Sequence, residues 1–239
     1  MITEKIRFLY RAWRYRIRQE SAEVRFVRAH LRPGQTAVDI GAHKGAFTYW
    51  MLRAVGTTGR VFSFEPQPEL SQYLEMVRMM LPAPQLTVVP AAVSQTPGTM
   101  TLFRPSACPS PGATLRPPAD MTDGESFQVP LVSLEAFFDA TPGLPIHFIK
   151  CDVEGHELEV FQGASRILRE HRPVLLFECE RRHHREQSIQ PVFDFLATFD
   201  YECYFFQRRV LKPLALFRPE DQDRWKSPGY VNNFACVPR

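Results

Sequence analysis

The run KCDVEGHE places Lys150, Asp152, Glu154, Gly155, His156 and Glu157 at the end of the apolar stretch Ile146 to Cys151. If the extended conformation persists, alternation puts Lys150, Asp152 and Glu154 on one side. Carboxylates beside a lysine can hold a hydroxyl and accept its proton as charge builds on oxygen. Asp152 is the first candidate for that base, with Glu154 and His156 next, and Lys150 orients the acid or lowers the pKa of the hydroxyl. Glu178 and Glu180, at the end of the next apolar stretch, can reach the same crevice. Asp152, Glu154 and Glu178 are oxygen ligands of the kind magnesium takes, but no metal is assigned. The competing reading of Glu154 and Glu157 is an acidic first helical turn, complementing the helix dipole.

A second constellation lies upstream in TAVDIGAHKG, where Asp39 ends an apolar run and Gly41 and Gly45 bracket a turn. A buried strand, a glycine turn and a helix form the unit that binds an adenosine-containing cofactor at the strand's carboxyl end. Glycine lets the backbone turn sharply and a ligand approach closely. There is no GxGxxG, so a dinucleotide site is disfavoured. One acid with G-x-x-x-G suits a cofactor carrying an ammonium group and no phosphate, which points to S-adenosylmethionine. Asp39 is expected to hold that ammonium, directly or through water. Glu65 ends the next strand, 26 residues past Asp39. An acid there can accept from both ribose hydroxyls.

The elements that must position these groups follow from periodicity. Strands are expected at Thr36 to Ile40, Arg60 to Phe64, Leu86 to Pro90, Ile146 to Cys151, Val174 to Cys179, Glu202 to Phe206 and Asn233 to Val237. Helices are expected from about residues 46 to 55, 69 to 81, 134 to 140, 158 to 170 and 192 to 199. Thr99 to Phe103 and Val129 to Val132 read as further extended pieces, and 208 to 230 as a mixed segment. The alternation gives an α/β, doubly wound, Rossmann-like sheet of seven strands, mostly parallel with an antiparallel last strand, preceded by an N-terminal helix. The Pro-rich stretch Arg104 to Phe127 is too long for a plain connection and is a candidate lid over the acceptor.

At 239 residues, with 44% hydrophobic and 23% charged residues, the chain suits one sizeable α/β domain. Residues 1–32 carry nine Lys/Arg against three Glu, about +6, which leaves about −3 for residues 33–239. The reading is a basic helical extension, 1–32, before a cofactor-binding domain, 33–239. Ile6, Leu9, Tyr10, Trp13 and Ile17 fall at helical spacing between arginines. Such a helix either lies on an anionic membrane or packs its aromatic stripe on the domain and solvates its arginines. Nucleic acid is not expected as a partner. Of the five cysteines, Cys151, Cys179, Cys203 and Cys236 sit in or beside expected strands. They read as buried small apolar residues in a reducing compartment, and no Cys/His spacing of a structural zinc site appears. There is no secretory signal pattern and no membrane-length apolar run, so the expected location is cytoplasmic, and peripheral to a membrane only where the helix takes the first of its two roles.

The stretches VDIGAHKG, FSFEP, PAAVS, VPLVSLEAFF, IHFIKCDVEGHELEVFQGA and PVLLFECE, with a near-terminal NNFACVP, make the chain resemble the FkbM family of S-adenosylmethionine-dependent methyltransferases. The resemblance implies a class I methyltransferase fold and O-methylation of a hydroxyl on a saccharide or natural product. It also implies cofactor contacts from the Asp39–Gly45 loop and Glu65, and Ala92, in PAAVS, is assigned with them. His43 stands where the family usually has Asn, Lys44 where it is often apolar, and Glu135 where Asp is usual. His43 either touches the cofactor carboxylate or the substrate, or is a loop histidine exposed to solvent. His183 and His184 either line the acceptor side or form an exposed pair. A nitrogen- or carboxyl-directed methyltransferase is the alternative enzyme. A cofactor-binding protein without turnover is disfavoured by the intact KCDVEGHE, and a membrane-surface adaptor built on the basic N-terminal helix is the remaining alternative. The acceptor's identity and the oligomeric state stay open.

Overall fold

The computed structural model describes residues 2–105, 108–116, 124–141, 143–184, 187–225 and 227–239. It opens with α1 (Ile2–Arg14), a π-helical turn (Tyr15–Gln19) and α2 (Ser21–His30). The first strands and helices follow as β1 (Thr36–Ile40), α3 (Ala46–Val55), β2 (Arg60–Phe64), α4 (Pro68–Met80) and β3 (Leu86–Val89). Next come β4 (Ala92–Val93), β5 (Gly98–Arg104), β6 (Glu125–Val132), α5 (Leu134–Asp139), β7 (Phe148–Cys151), α6 (Glu157–Gln162) and α7 (Ser165–Glu170). The last are β8 (Val174–Glu178), α8 (Gln190–Ala197), β9 (Tyr201–Gln207), β10 (Val210–Pro213) and β11 (Asn233–Pro238).

β1 is buried along its whole length because it lies mid-sheet, paired in parallel with β2 on one side and β7 on the other. The main sheet runs β10-β9-β11-β8-β7-β1-β2-β3. β11 is antiparallel to both β8 and β9, as expected of a last strand inserted between them. The sheet has eight strands rather than seven. The extra one, β10, is reached through Arg208 and Arg209, both at positive φ (51° and 67°), in a two-residue hairpin turn. That geometry normally recruits Asn-Gly, so two arginines gave no turn signal. β4, β6 and β5 form a second, three-stranded sheet that caps the cavity side.

Two apolar cores flank the main sheet. One joins Val38, Phe64, Ile149, Phe161, Phe177 and Phe234. The other joins Val24, Phe26, Val27 and Leu31 of the first 32 residues to Ala37, Phe47, Val55 and Phe148. The expected single helix 158–170 is broken at Gly163, where a Cβ would lie 2.2 Å from the Ser94 carbonyl oxygen.

The expected single N-terminal helix is broken at the π-helical turn, and only part of the expected stripe packs on the domain: Leu9 joins the Phe8, Val77 and Met80 cluster and Trp13 meets Trp50 edge-on at 5.3 Å. α1 buries Phe8 and Ala12; Phe8 meets Tyr49 edge-on at 5.8 Å and the Trp50 indole donates to the Ala12 carbonyl at 2.9 Å. Ile6, Tyr10 and Ile17 are exposed, and Trp13 is 44% exposed. Cys203 and Cys236 do not sit reduced. They face each other across β9 and β11 and are joined in a disulfide. They lie 33 residues apart in the chain, so only strand register reveals the pairing. No helix among the described residues is long and apolar enough to cross a membrane.

Candidate active site

The carboxyl ends of β1, β2 and β7 open into a cavity enclosing about 920 Å³ of space, mouth included. An open α/β sheet places its ligand crevice at this edge. Gly41, His43, Glu65, Lys150 and Asp152 line it from the strand ends, and Ala92 lines it from β4. Gly41 has φ 69° and a Cβ there would lie 1.9 Å from the Asp152 carbonyl oxygen, so the two strand-end turns touch only because no side chain separates them. Gly45 does not reach the cavity. It has φ 74° at the start of α3, where a Cβ would lie 2.7 Å from Leu74 Cδ2.

His43 sits between the glycines at φ 48°, strained for a residue with a Cβ. Its amide donates to Glu65 Oε2 at 2.8 Å, while Glu65 Oε1 accepts from the Gln67 amide at 2.9 Å. Glu65 is therefore held rigidly on the wall, with lone pairs left on each oxygen for incoming hydroxyls. Burial pushes its pKa up to about 7, against those amides. The His43 ring is held neutral: burial, then Lys44, Lys150 and Arg11, lower its pKa to about 4. Its buried Nε2 has no hydrogen-bond partner within the chain. A donor-rich sugar on Glu65, a cavity walled by the Gly41 backbone and an orphaned ring nitrogen fit an adenosine-type cofactor.

Asp39 corrects the sequence reading. It is fully buried behind the wall and does not line the cavity. Its Oδ2 accepts from Thr48 Oγ1 at 2.6 Å, and its Oδ1 lies 3.7 Å from Lys150 Nζ. The reason is register: Asp39 and Lys150 are direct neighbours across β1 and β7. Asp39 thus pairs with Lys150 behind the wall, which speaks against a direct grip on an ammonium group and leaves the contact through water. Lys150 Nζ also donates to the Gly41 carbonyl and to Asp152 Oδ2, each at 3.2 Å. Burial alone would lower the lysine, but Asp152, Asp39 and Glu20 raise it above its ordinary value, so it stays charged.

Glu154 and His156 do not share the cavity wall with Lys150 and Asp152, because the strand ends at Cys151 and Glu154 turns at φ 52°. His156 is buried against Ser94 Oγ at 2.9 Å and is not a base for this cavity. Glu154 turns toward an acidic wall beside the cavity, where carboxylate oxygens of Asp152, Glu154 and Glu178 lie within 4.8 Å of one another. His183 Nδ1 meets Glu154 at 2.8 Å. Burial raises Glu154, and burial followed by Asp152 raises Glu178 well above the usual carboxylate range. Glu180 is also buried, but Arg182 at 2.8 Å, Glu178 and the Tyr230 hydroxyl bring it below the usual value. The wall is thus a row of carboxylates in which burial raises Glu154 and Glu178 while Arg182 and its neighbours lower Glu180.

Some lining residues escape the sequence reading, three of them far from the strand ends. Arg11, Tyr15 and Glu20 reach the cavity from the N-terminal segment, where the π-helical turn and the bend at Glu20 redirect the chain. Burial, then Glu23 and Asp152, raises Glu20 to about 8. No spacing rule signals a π-helical turn, which often marks a functional site. Of the expected lid, Ser110, Pro111, Ala113 and Leu115 line the cavity, and the Gln67 amide group clasps the Ser110 backbone at 2.9 and 3.0 Å. Residues 106, 107 and 117–123 of that stretch lie outside the described residues.

Solved structures share this architecture. An FkbM methyltransferase from Methylobacillus flagellatus KT superposes with a TM-score of 0.55 at 17% identity, covering 97% of this chain and 54% of that one. The chain therefore spans about half the length of that relative. A putative methyltransferase from Streptococcus mutans in complex with SAH gives 0.51 at 10% identity, covering 90% and 95%. A precorrin-6y C5,15-methyltransferase from Geobacter metallireducens GS-15 gives 0.53 at 12%, covering 93% and 90%. No curated protein is significantly similar to the sequence. Residues 39–205, from the buried Asp39 through the acidic wall to β9, match the methyltransferase FkbM domain, and the chain belongs to that family of methyltransferases.

Proposed function

We propose that the chain transfers the methyl group of S-adenosylmethionine to a hydroxyl of a saccharide or natural product. The observation that carries this is Asp152 on the cavity wall, bonded to a buried charged Lys150 and continuous with the Glu154 and Glu178 wall. Glu65 holds the ribose hydroxyls, the Gly41 turn admits the cofactor's body, and Ala92 packs on it. The bound cofactor supplies an electrophilic methyl on a sulfonium. Asp152 takes the acceptor's proton as the new carbon–oxygen bond forms, and Lys150 keeps Asp152 oriented. Alignment near contact distance and exclusion of water provide the rest of the acceleration. Calorimetry with S-adenosylmethionine, followed by label transfer to a panel of glycosides, tests the reading. Asp152→Asn should keep cofactor affinity within a few-fold and lower turnover by about 10²–10⁴-fold. Unchanged turnover would remove Asp152 as the base, and absence of cofactor binding to folded protein would sink the whole reading. Mass spectrometry of the host's glycans with and without the gene identifies the acceptor.

We also propose that α1 docks on an anionic membrane surface. Ile2, Ile6 and Tyr10 recur at helical spacing on the exposed side of the helix, away from the docked Phe8 and Ala12. Lys5, Arg7 and Arg14 are exposed beside them. An apolar stripe flanked by cations suits the boundary between headgroups and acyl chains. Flotation with phosphatidylglycerol vesicles should recover the protein, and Ile6→Gln with Tyr10→Gln should abolish recovery. Equal recovery on neutral vesicles, or a stable dimer lost in the same variant, would overturn the assignment.

A further inference from the structure

Glu157, Cys179 and His184 meet beyond the cavity, and nothing in the methyl-transfer reading uses them. Glu157 opens α6, Cys179 follows β8, and His184 ends the 3₁₀ turn Arg181–His183. Cys179 is fully buried, Glu157 is 1% exposed, and the His184 side chain is 11% exposed. Cys179 Sγ lies 3.4 Å from His184 Nε2, His184 Nε2 lies 3.2 Å from Glu157 Oε2, and Cys179 Sγ lies 3.8 Å from that same oxygen.

These three distances are the edges of a triangle whose size suits a tetrahedral metal ion. Zinc bonds of about 2.3 Å to sulfur and about 2.0–2.1 Å to nitrogen and oxygen, at tetrahedral angles, give edges of about 3.3 Å from nitrogen to oxygen and about 3.5 Å from sulfur to either. The observed edges match within a few tenths of an ångström. The geometry also excludes a nucleophile relay. In a thiol–imidazole–carboxylate relay the acid holds the ring nitrogen opposite the nucleophile. Here the thiol and the carboxylate both address Nε2. One ring nitrogen has a single direction to offer, so both groups converge on a shared point rather than passing a proton along a line. The carboxylate is braced as well: its other oxygen, Oε1, accepts from the Gly155 amide at 2.9 Å, the kind of outer contact that orients metal ligands. One sulfur, one imidazole nitrogen and one carboxylate oxygen form a donor set for zinc and not for magnesium or calcium.

We propose that Cys179, His184 and Glu157 bind a zinc ion, with a fourth position left for water. The ion would tie the turn after β8 to the start of α6. That turn carries His183, the partner of Glu154, so the metal would position the acidic wall without touching the acceptor. Sequence spacing gave no hint, because Cys179 and His184 form no CxxC-type pattern and Glu157 is brought in only by the fold.

The test uses the full chain, stripped with chelator and titrated with cobalt(II) as a spectroscopic probe. About one equivalent should bind, with thiolate-to-cobalt charge-transfer absorption that zinc then displaces. Cys179→Ser should lose the band. His184→Ala should weaken binding by more than the ~10–100-fold that loss of a supporting residue costs. Glu154→Gln, in the neighbouring acidic wall, should keep both band and stoichiometry. Zinc should also raise the melting temperature of the wild type, which decides the matter even if a variant fails to fold. No charge-transfer band in the wild type, a band that survives in Cys179→Ser, or a band lost in Glu154→Gln would each overturn the proposal.

Discussion

Replacing Lys150 with Met should cost the fold about 3–5 kcal/mol near neutral pH and much less in mild acid. Lys150 Nζ stands 3.7 Å from Asp39 Oδ1 and 3.2 Å from Asp152 Oδ2. At an effective dielectric of about 20, charge pairs at those separations are worth about 4–5 kcal/mol each, before the desolvation that offsets part of it. The loss falls mainly on Asp39, which is fully buried and keeps Thr48, through its hydroxyl and backbone amide, as partner once the cation is gone. Asp152, at 34% side-chain exposure, recovers solvation from water. The pH dependence follows from the sign of the shift. Burial raises Asp39 in the folded chain above its ordinary value, even against the opposing pull of Lys150. Without Lys150 that pull is lost and the folded pKa climbs further. The folded variant then holds a proton that the unfolded chain releases, so its stability falls as pH rises from the ordinary carboxylate range to the folded pKa. Urea denaturation followed by tryptophan fluorescence, at about pH 4.5, 6 and 8, should show the gap to wild type widening with pH. Asp39→Asn combined with Lys150→Met should close most of it. A gap under about 1 kcal/mol, or one that does not change with pH, would refute the claim that Lys150 compensates a buried Asp39.

Gly41→Ala should destabilise by at least about 3 kcal/mol or prevent folding, since the new Cβ meets a backbone oxygen at 1.9 Å and φ is positive; a near-wild-type melting temperature would show that the turn can move. Cofactor affinity should strengthen as pH rises toward about 7, where buried Glu65 ionises, by roughly tenfold per pH unit below that value. Glu65→Gln should flatten the profile, and calorimetry across that range decides. Cys203→Ser with Cys236→Ser should lower stability by about 3–4 kcal/mol, the loop-entropy value for a closure of 33 residues; an unchanged urea midpoint would mean the pair is not bridged in the purified protein.

The strand–turn–helix from Thr36 to Val55 was legible to the residue, as was the extent of β2. Central parallel strands are buried on both faces, so they read as apolar runs whose ends are marked by glycine or proline. What failed was anything set across the sheet rather than along the chain. Asp39 looked like a ligand-facing acid because strand ends usually are, yet its direction is set by the lysine directly opposite in β7. Lys150, Asp152 and Glu154 looked like one face because alternation was extended past the point where the strand stops. The disulfide, the break at Gly163 and the Arg208–Arg209 turn all depend on partners distant in sequence or on uncommon turn chemistry.

The N-terminal segment carries the same lesson into experiment. A basic amphipathic helix reads as an appendage, and deleting residues 1–31 is then the natural test of membrane contact. The structure makes that deletion uninformative. Val24, Phe26 and Val27 belong to the core beneath β1, and Arg11, Tyr15 and Glu20 form part of the cofactor cavity. Removing them would open the cavity and expose apolar core in one step, so lost vesicle binding, lost cofactor binding and unfolding would arrive together. Substitutions confined to Ile6 and Tyr10 touch neither, because both side chains are more than 60% exposed and neither lines the cavity. If those two changes abolish vesicle recovery while cofactor affinity holds, one face of α1 meets the membrane while the segment's other face lines the cavity.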